Sequence, residues 1–292
     1  MATLISMLMP TRARPDLALR FLESAYKTCR DAANVEIIII VDDDDDTYEG
    51  FVSPFEKTTL KAVSPLTMSG YNRFAAKISS GDILMLVNDD IIVESEGWDV
   101  AVRNMHAIFP DELYLGFPND GFKGSRLSVF PILSRRTFHN FNVLPDIYSG
   151  AFIDTHLHEV FHFLKTVGHD RICYLENVRF THHHYRVTKE APDETYKRRD
   201  RFGDDLTFLH NVKVRHCVSL SMRDYIQAGN LCSVSGSADV LDGVMAPFSY
   251  YLFACPGHLG YRIRMVSYLF ARLIFNHFSK LRRYCSTLTK GS

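Results

Sequence analysis

Three groups of side chains in this sequence have the types and spacing to do chemistry. The first is Asn88-Asp89-Asp90, which closes the apolar run Ile83–Val87. Adjacent carboxylates repel one another unless a cation or a shared proton compensates. A hard divalent ion carrying a substrate diphosphate would do so; a simple turn after a strand is the plainer alternative. The second group is the acidic run Asp42–Asp46, which follows Val35–Val41. Five neighbouring carboxylates cannot all face inward. Asp42 and Asp43, next to the last apolar residue, are best placed to accept hydrogen bonds from ribose hydroxyls or a base N–H. Asp44 to Asp46 are expected in solvent. The third group is His182-His183-His184. In extended chain, alternate side chains share a face, so His182 and His184 point together. An imidazole completes a coordination shell begun by carboxylates, with His182 the first candidate and His184 the second. One further acid, Asp154, opens a helical pattern. It reads either as an N-cap or as a general base for a hydroxyl nucleophile, and sequence leaves both open. His156, His158 and His162, at i, i+2 and i+6, do not share one helical face and are not read as a zinc site.

These residues need elements to hold them. Leu4–Met9 reads as a strand, the pattern through Leu17, Phe21 and Ala25 as a helix, and Val35–Val41 as a second strand. Strand, helix, strand with functional residues past each strand is a βαβ unit, which implies a parallel sheet. Leu60–Val63 reads as a short strand, and a helix through Asn72, Ala75 and Ile78 is expected to end at Gly81. The acid-terminated run Ile83–Val87 then reads as a buried central strand. In such sheets ligands bind beyond the C-terminal strand ends. Further strands are expected at Leu113–Phe117, Leu127–Leu133, Ile172–Leu175 and Val178–His184, with helices through Val102–Ile108 and Asp154–Val167. Arg186–Asp205 reads as a charged surface segment. From His258 onward there are seven basic residues and no acid, with Val266, Leu269, Phe270, Leu273, Ile274 and Phe278 at helical spacing. That is a basic amphipathic helix, which lies on an anionic membrane or packs on the core or a partner subunit.

Composition narrows the class. The chain has 292 residues, 46% hydrophobic, with a formal net charge of -1. That suits one large globular unit with a smaller appendage and gives no global basic field for nucleic acid. The six scattered cysteines form no CxxC pair and are expected to be reduced thiols in a cytosolic setting. No signal peptide and no apolar stretch of membrane-spanning length is evident.

Taken in order, these motifs resemble family 2 glycosyltransferases of the GT-A, nucleotide-diphospho-sugar transferase fold. The resemblance spans roughly residues 1–208. It rests on Pro10-Thr11-Arg12 after the first strand, Val41-Asp42-Asp43 after the second, Asn72 followed by Gly81-Asp82 and Asn88-Asp89-Asp90, and then Phe130-Pro131, Ser134-Arg135, Asp154-Thr155 and Thr181–His184. It implies an α/β fold with a mostly parallel central sheet, a catalytic domain over 1–210 and a helical extension over 211–292 that holds the basic helix at about 258–284. It implies nucleotide contacts from Pro10, Thr11, Arg12, Asp42, Asp43, Asn72 and Asp89. Asp90 and His182, with His184 in reserve, would hold Mn²⁺ or Mg²⁺. Asp154 would be the base of an inverting transfer from a nucleotide sugar to a glycan, lipid-linked or protein acceptor. Two departures stand out: Asn88 replaces the first acid of a strict DXD, and Ile153 replaces the usual glutamate beside the base. A nucleotidyltransferase on a similar fold is the enzymatic alternative, disfavoured because Pro10-Thr11-Arg12 has no glycine. A non-catalytic, membrane-docked sugar-nucleotide module is the other. Expected partners are thus the donor, the acceptor, a peripheral contact with the inner face of a membrane and a homodimer.

Overall fold

The computed structural model describes residues 3–183, 202–229 and 239–288, the last ten as helix backbone alone. The expected second histidine, His184, and the basic run Lys197-Arg198-Arg199 lie outside the described residues.

The chain folds as a mixed α/β protein around an eight-stranded sheet. Strands β1 (Ile5–Pro10), β2 (Val35–Asp42) and β3 (Thr58–Val63) run parallel, and β4 (Ile83–Leu86) joins β1 in the same sense. The order continues through β7 (Ile132–Ser134), β6 (Leu115–Asn119), β8 (Ile172–His182) and β5 (Ile91–Val93). Of these, β7 and β5 are the reversed strands. The β-branched run Ile37–Ile40 makes β2 a strand by propensity, and its side chains alternate between the two faces. Ile38 and Ile40 join one buried cluster, Ile37, Ile39 and Val41 the other. The same alternation divides Leu84 and Leu86 from Ile83, Met85 and Val87 in β4. Helices cover both faces, so the strands read as continuous apolar runs.

One face is covered by α1 (Pro15–Thr28) and α3 (Trp98–Ala107), through Phe21, Leu22, Trp98 and Val102. Pro15 opens α1, where its missing N–H costs no hydrogen bond. The other face is covered by α2 (Met68–Ile78) and α5 (Ile153–Thr166), through Ala75, Ala76, Leu157, Val160 and Phe161. Each large buried side chain contributes about 1.5–3 kcal/mol of transfer free energy.

Three local expectations change. Leu127–Leu133 is not a full strand: only Ile132–Ser134 pairs, and the Val129 amide turns back onto the Leu127 carbonyl at 3.0 Å. Ser134 then caps α4 (Arg135–Asn140), its Oγ accepting from the Thr137 amide. The helix before β4 ends at Ile78 with Ser79, not Gly81, closing it. Gly81 is needed for close approach instead, because a Cβ there would lie 2.7 Å from the Ser6 backbone nitrogen. Finally, Ile172 to His182 forms one strand, with a register irregularity opposite Pro118 and Asn119.

Beyond residue 201, α6 (Asp205–His210), α7 (Val212–Ala228), α8 (Met245–Ser249), a π-helical turn (Tyr250–Ala254) and α9 (Leu259–Leu288) pack onto α5. Phe208, Val212, Met222, Tyr251 and Leu269 share the α5 cluster. At its centre, the fully buried Arg215 pairs with Glu159 and donates to the Phe208 carbonyl at 2.7 Å and the Tyr251 hydroxyl at 2.8 Å. Tyr251 and Tyr261 both donate to the Glu159 carboxylate. Burial alone would lower the Arg215 pKa, but the Glu159 charge overrides it and raises it. No described helix is long and apolar enough to cross a membrane.

Candidate functional site

The C-terminal ends of β1, β2 and β4 open into a cleft of about 610 Å³. Its wall carries Pro10, Thr11 and Arg12 from the end of β1, Asp42 from β2, Asn72 from α2, and Asp89 and Asp90 after β4. Asp154 on α5 and His182 at the end of β8 line the same cleft. Nine of the eleven residues expected to bind the donor or ion or to act as base, scattered over more than 170 positions, thus line one cavity. Asp43 does not. It is exposed, and its carboxylate accepts from the Ser64 hydroxyl at 2.9 Å.

Asp89 and Asp90 are 5% and 3% exposed, whereas Asn88 is exposed. The chain turns after Leu86, which faces both acids inward. Asp89 accepts from the Thr11 hydroxyl at 2.7 Å and pairs with Arg14 at 3.2 Å. Burial pushes its carboxyl up to about 6, with Arg14 opposing that rise and Asp90 adding to it. Asp90 faces His182, with Oδ1 and Nε2 3.1 Å apart. Antiparallel pairing fixes this contact: Ile91 sits opposite His182, and the His183 amide donates to the Asp90 carbonyl at 2.8 Å.

One carboxylate and one imidazole at this spacing would accommodate a divalent ion. Two cis ligands of an octahedral ion, at bond lengths of about 2.1 Å, stand about 3 Å apart, close to the Asp90–His182 separation of 3.1 Å. Among the described residues no cluster of three or more His, Cys, Asp or Glu side chains is arranged to hold a metal. The other positions would fall to water and substrate oxygens, the usual state of a magnesium ion that carries phosphates.

Toward β2, Arg12 pairs with Asp42 and reaches Asp44 with two bonds of 2.7 and 2.9 Å. Its pKa is raised by those hydrogen bonds, Asp44 first and then Asp42. The Tyr71 hydroxyl donates to the other Asp42 oxygen. Asn72 is 5% exposed; its amide donates to the Met68 carbonyl, and its buried Oδ1 has no hydrogen-bond partner among the described residues. A buried acceptor on a cleft wall is costly unless a donor arrives.

Asp154 is not the N-cap of α5. Phe152 holds that position in the left-handed region at φ 66, without a side-chain cap. Asp154 lies in the first turn, where negative charge is favoured by the helix dipole. One of its oxygens accepts from the Thr155 amide at 2.7 Å. The loop before α5 is held by Asp204, 3% exposed, whose carboxylate accepts from the amides of Ser149, Gly150 and Ala151 at 2.7–3.0 Å. Asp120 does similar work across the cleft, accepting from the Phe122, Lys123 and Gly124 amides. Arg14, Tyr71, Asp120 and Asp204 carry no sequence signal of these roles. Arg14, Tyr71 and Asp204 depend on partners far along the chain, whereas Asp120 binds the turn that directly follows it; Asp204 also falls in a stretch whose charge reads as solvated surface.

No family model matches the sequence, and no curated protein matches it. Solved structures do share the fold. S. aureus TarS 1-349, solved in complex with UDP-GlcNAc, has a TM-score of 0.52 at 13% identity, over 76% of this chain and 73% of that one. The mannosyltransferase PcManGT from Pyrobaculum calidifontis, solved with GDP-Man and Mn²⁺, has a TM-score of 0.51 at 12% identity, over 99% of this chain and 81% of that one. At these identities the likeness is one of fold, the GT-A-like arrangement.

Proposed function

We propose that this chain transfers a sugar from a nucleotide-diphosphate donor to an acceptor hydroxyl, with inversion, in a divalent-ion-dependent reaction. The observation that carries this reading is the convergence of Arg12, Asp42, Asn72, Asp89, Asp90, Asp154 and His182 on one cleft at the strand ends. Both solved neighbours hold a nucleotide sugar, and one also holds Mn²⁺, which supports the donor class.

Asp90 and His182 would hold the ion. Bound there, it would offset charge growing on the departing diphosphate. The remaining work belongs to side chains. Asp42, with Arg12 and Tyr71 around it, offers a carboxylate to the ribose or base. Asn72 offers its buried oxygen to a donor N–H or O–H. Asp89, steadied by Thr11 and Arg14, faces the ribose and sugar side. Asp154 takes the proton from the acceptor hydroxyl as that oxygen attacks the anomeric carbon, general-base catalysis by a carboxylate at a helix start. The acceptor, a glycan, lipid-linked or protein hydroxyl, enters beside Phe122, Lys123 and Leu127, which also line the cleft.

Hydrolysis of and transfer from UDP- and GDP-sugars, measured with Mn²⁺ and with chelator, tests this. Wild-type turnover should require the ion, and Asp90→Ala should lose it. Turnover unaffected by that substitution refutes the metal assignment. Nucleotide binding without turnover, under every donor and acceptor tried, favours a non-catalytic binding module.

A further inference from the structure

The helix α9 carries two apolar stripes, and the fold uses one of them. On the inner side Tyr261, Met265 and Leu269 are buried in the α5 cluster, with Leu273 packed against it. On the opposite side Ile263, Phe270, Ile274 and Phe278 recur at intervals that hold them within one narrow sector of a helix turning 100° per residue. All four are exposed, as is Phe275 beside them; Phe270 and Phe278 are 55% and 63% exposed while Leu269 is 1%. Phe270 meets the core only at its edge, against Phe248 with 6.3 Å between ring centres, so core packing does not explain the rest of the outer stripe. Scattered apolar residues on a surface are ordinary, but a row of large apolar side chains along one helix face marks an interaction site.

Charge selects the occupant. From His258 to the last residue the chain carries Arg262, Arg264, Arg272, Lys280, Arg282, Arg283 and Lys290 and no acid. Arg264 is exposed and lies next to the stripe. Leu269 is the last buried residue of α9 among those described, although the helix continues to Leu288. Arg272 is taken up by Asp205 of the body, but an apolar row on a segment whose formal charges are all positive, with Arg264 exposed beside it, fits an anionic lipid surface. The geometry points to α9 as a docking helix that seats Ile263, Phe270, Ile274 and Phe278 in the interfacial layer of an anionic bilayer. The surface is separate from the cleft, so this reading and the glycosyl-transfer reading stand or fall independently.

Vesicle co-sedimentation of the full chain tests it, using phosphatidylcholine vesicles and vesicles of equimolar phosphatidylcholine and phosphatidylglycerol. The wild type should bind the anionic vesicles and release as salt is raised. Phe270→Ser and Phe278→Ser should each weaken binding about tenfold, the scale of one lost ring burial, and Phe278→Ser, whose side chain is 63% exposed, should leave the melting temperature unchanged. Arg264→Glu should weaken binding to anionic vesicles alone. No binding to either vesicle, or equal binding by wild type and the serine variants, overturns the proposal. So does light scattering that shows a dimer which Phe270→Ser dissociates, because the stripe would then belong to a second copy.

Discussion

Replacing Arg215 by methionine should be among the most damaging single changes outside the cleft. The guanidinium is fully buried and joins Glu159 on α5, the Phe208 carbonyl at the end of α6 and the Tyr251 hydroxyl in the π-helical turn. Methionine fills much of the same volume, so the cavity term is small and the electrostatic term dominates. What remains is a Glu159 carboxylate, 2% exposed, with only the Tyr251 and Tyr261 hydroxyls, at 2.9 and 2.7 Å, as donors. Removing one partner of a buried ion pair costs about 3–5 kcal/mol. Domains have about 5–15 kcal/mol in all, so the variant keeps a reduced margin. Urea denaturation followed by circular dichroism reads this directly; at a slope of about 3 kcal/mol/M the midpoint falls by about 1–1.7 M. The double variant Glu159→Gln/Arg215→Met removes the stranded charge and should recover a substantial part of the loss. A single-variant cost below about 1 kcal/mol, or a double variant less stable than Arg215→Met, would refute the buried-pair account.

Other outcomes follow from the same structure. Asp154→Asn keeps the shape of the cleft but removes the base, so sugar transfer should fall by about 10²–10⁴-fold while nucleotide affinity, read by calorimetry, stays within a few fold. Asp204→Ala strands the amides of Ser149, Gly150 and Ala151. It should cost about 1–3 kcal/mol, and limited proteolysis should open the loop before α5. Gly81→Ala forces a methyl against the Ser6 backbone; its melting temperature should drop with a destabilisation of about 1–3 kcal/mol, and a melting curve matching wild type would show that β1 gives way there.

The sheet and most of the cleft were legible because the information is local. Each of β1, β2 and β4 is an apolar run whose next residues must lie at its C-terminal mouth, so Arg12, Asp42 and Asp90 could be placed without knowing the fold in detail. Asp43 shows where that reading stops. Adjacent residues leave a strand end on opposite sides, and which one faces the cleft depends on the Asp43 amide bonding to the Val63 carbonyl of β3. Asp154 was equally open, because both an N-cap and a cleft acid sit at a helix start. Only the left-handed Phe152 moves the cap upstream. The ties from Arg14 to Asp89, Asp204 to residues 149–151 and Arg215 to Glu159 span 75, about 54 and 56 positions. No periodicity records partners so far apart.

The pairing of β5 with β8 has a consequence for how this site can change over time. Side chains at Val178, Phe180 and His182 share one face of β8 and all three are buried. Phe180 sits edge-on to Trp98, 5.8 Å between ring centres, opposite Val93 in the ladder. The packing that hides Phe180 therefore also delivers His182 to Asp90, because a slip of one residue would turn all three outward together. Placement of the histidine is thus guarded by the hydrophobic interior, not by the cleft. A substitution on the cleft wall away from β5 and β8 therefore leaves the spacing of Asp90 and His182 unchanged.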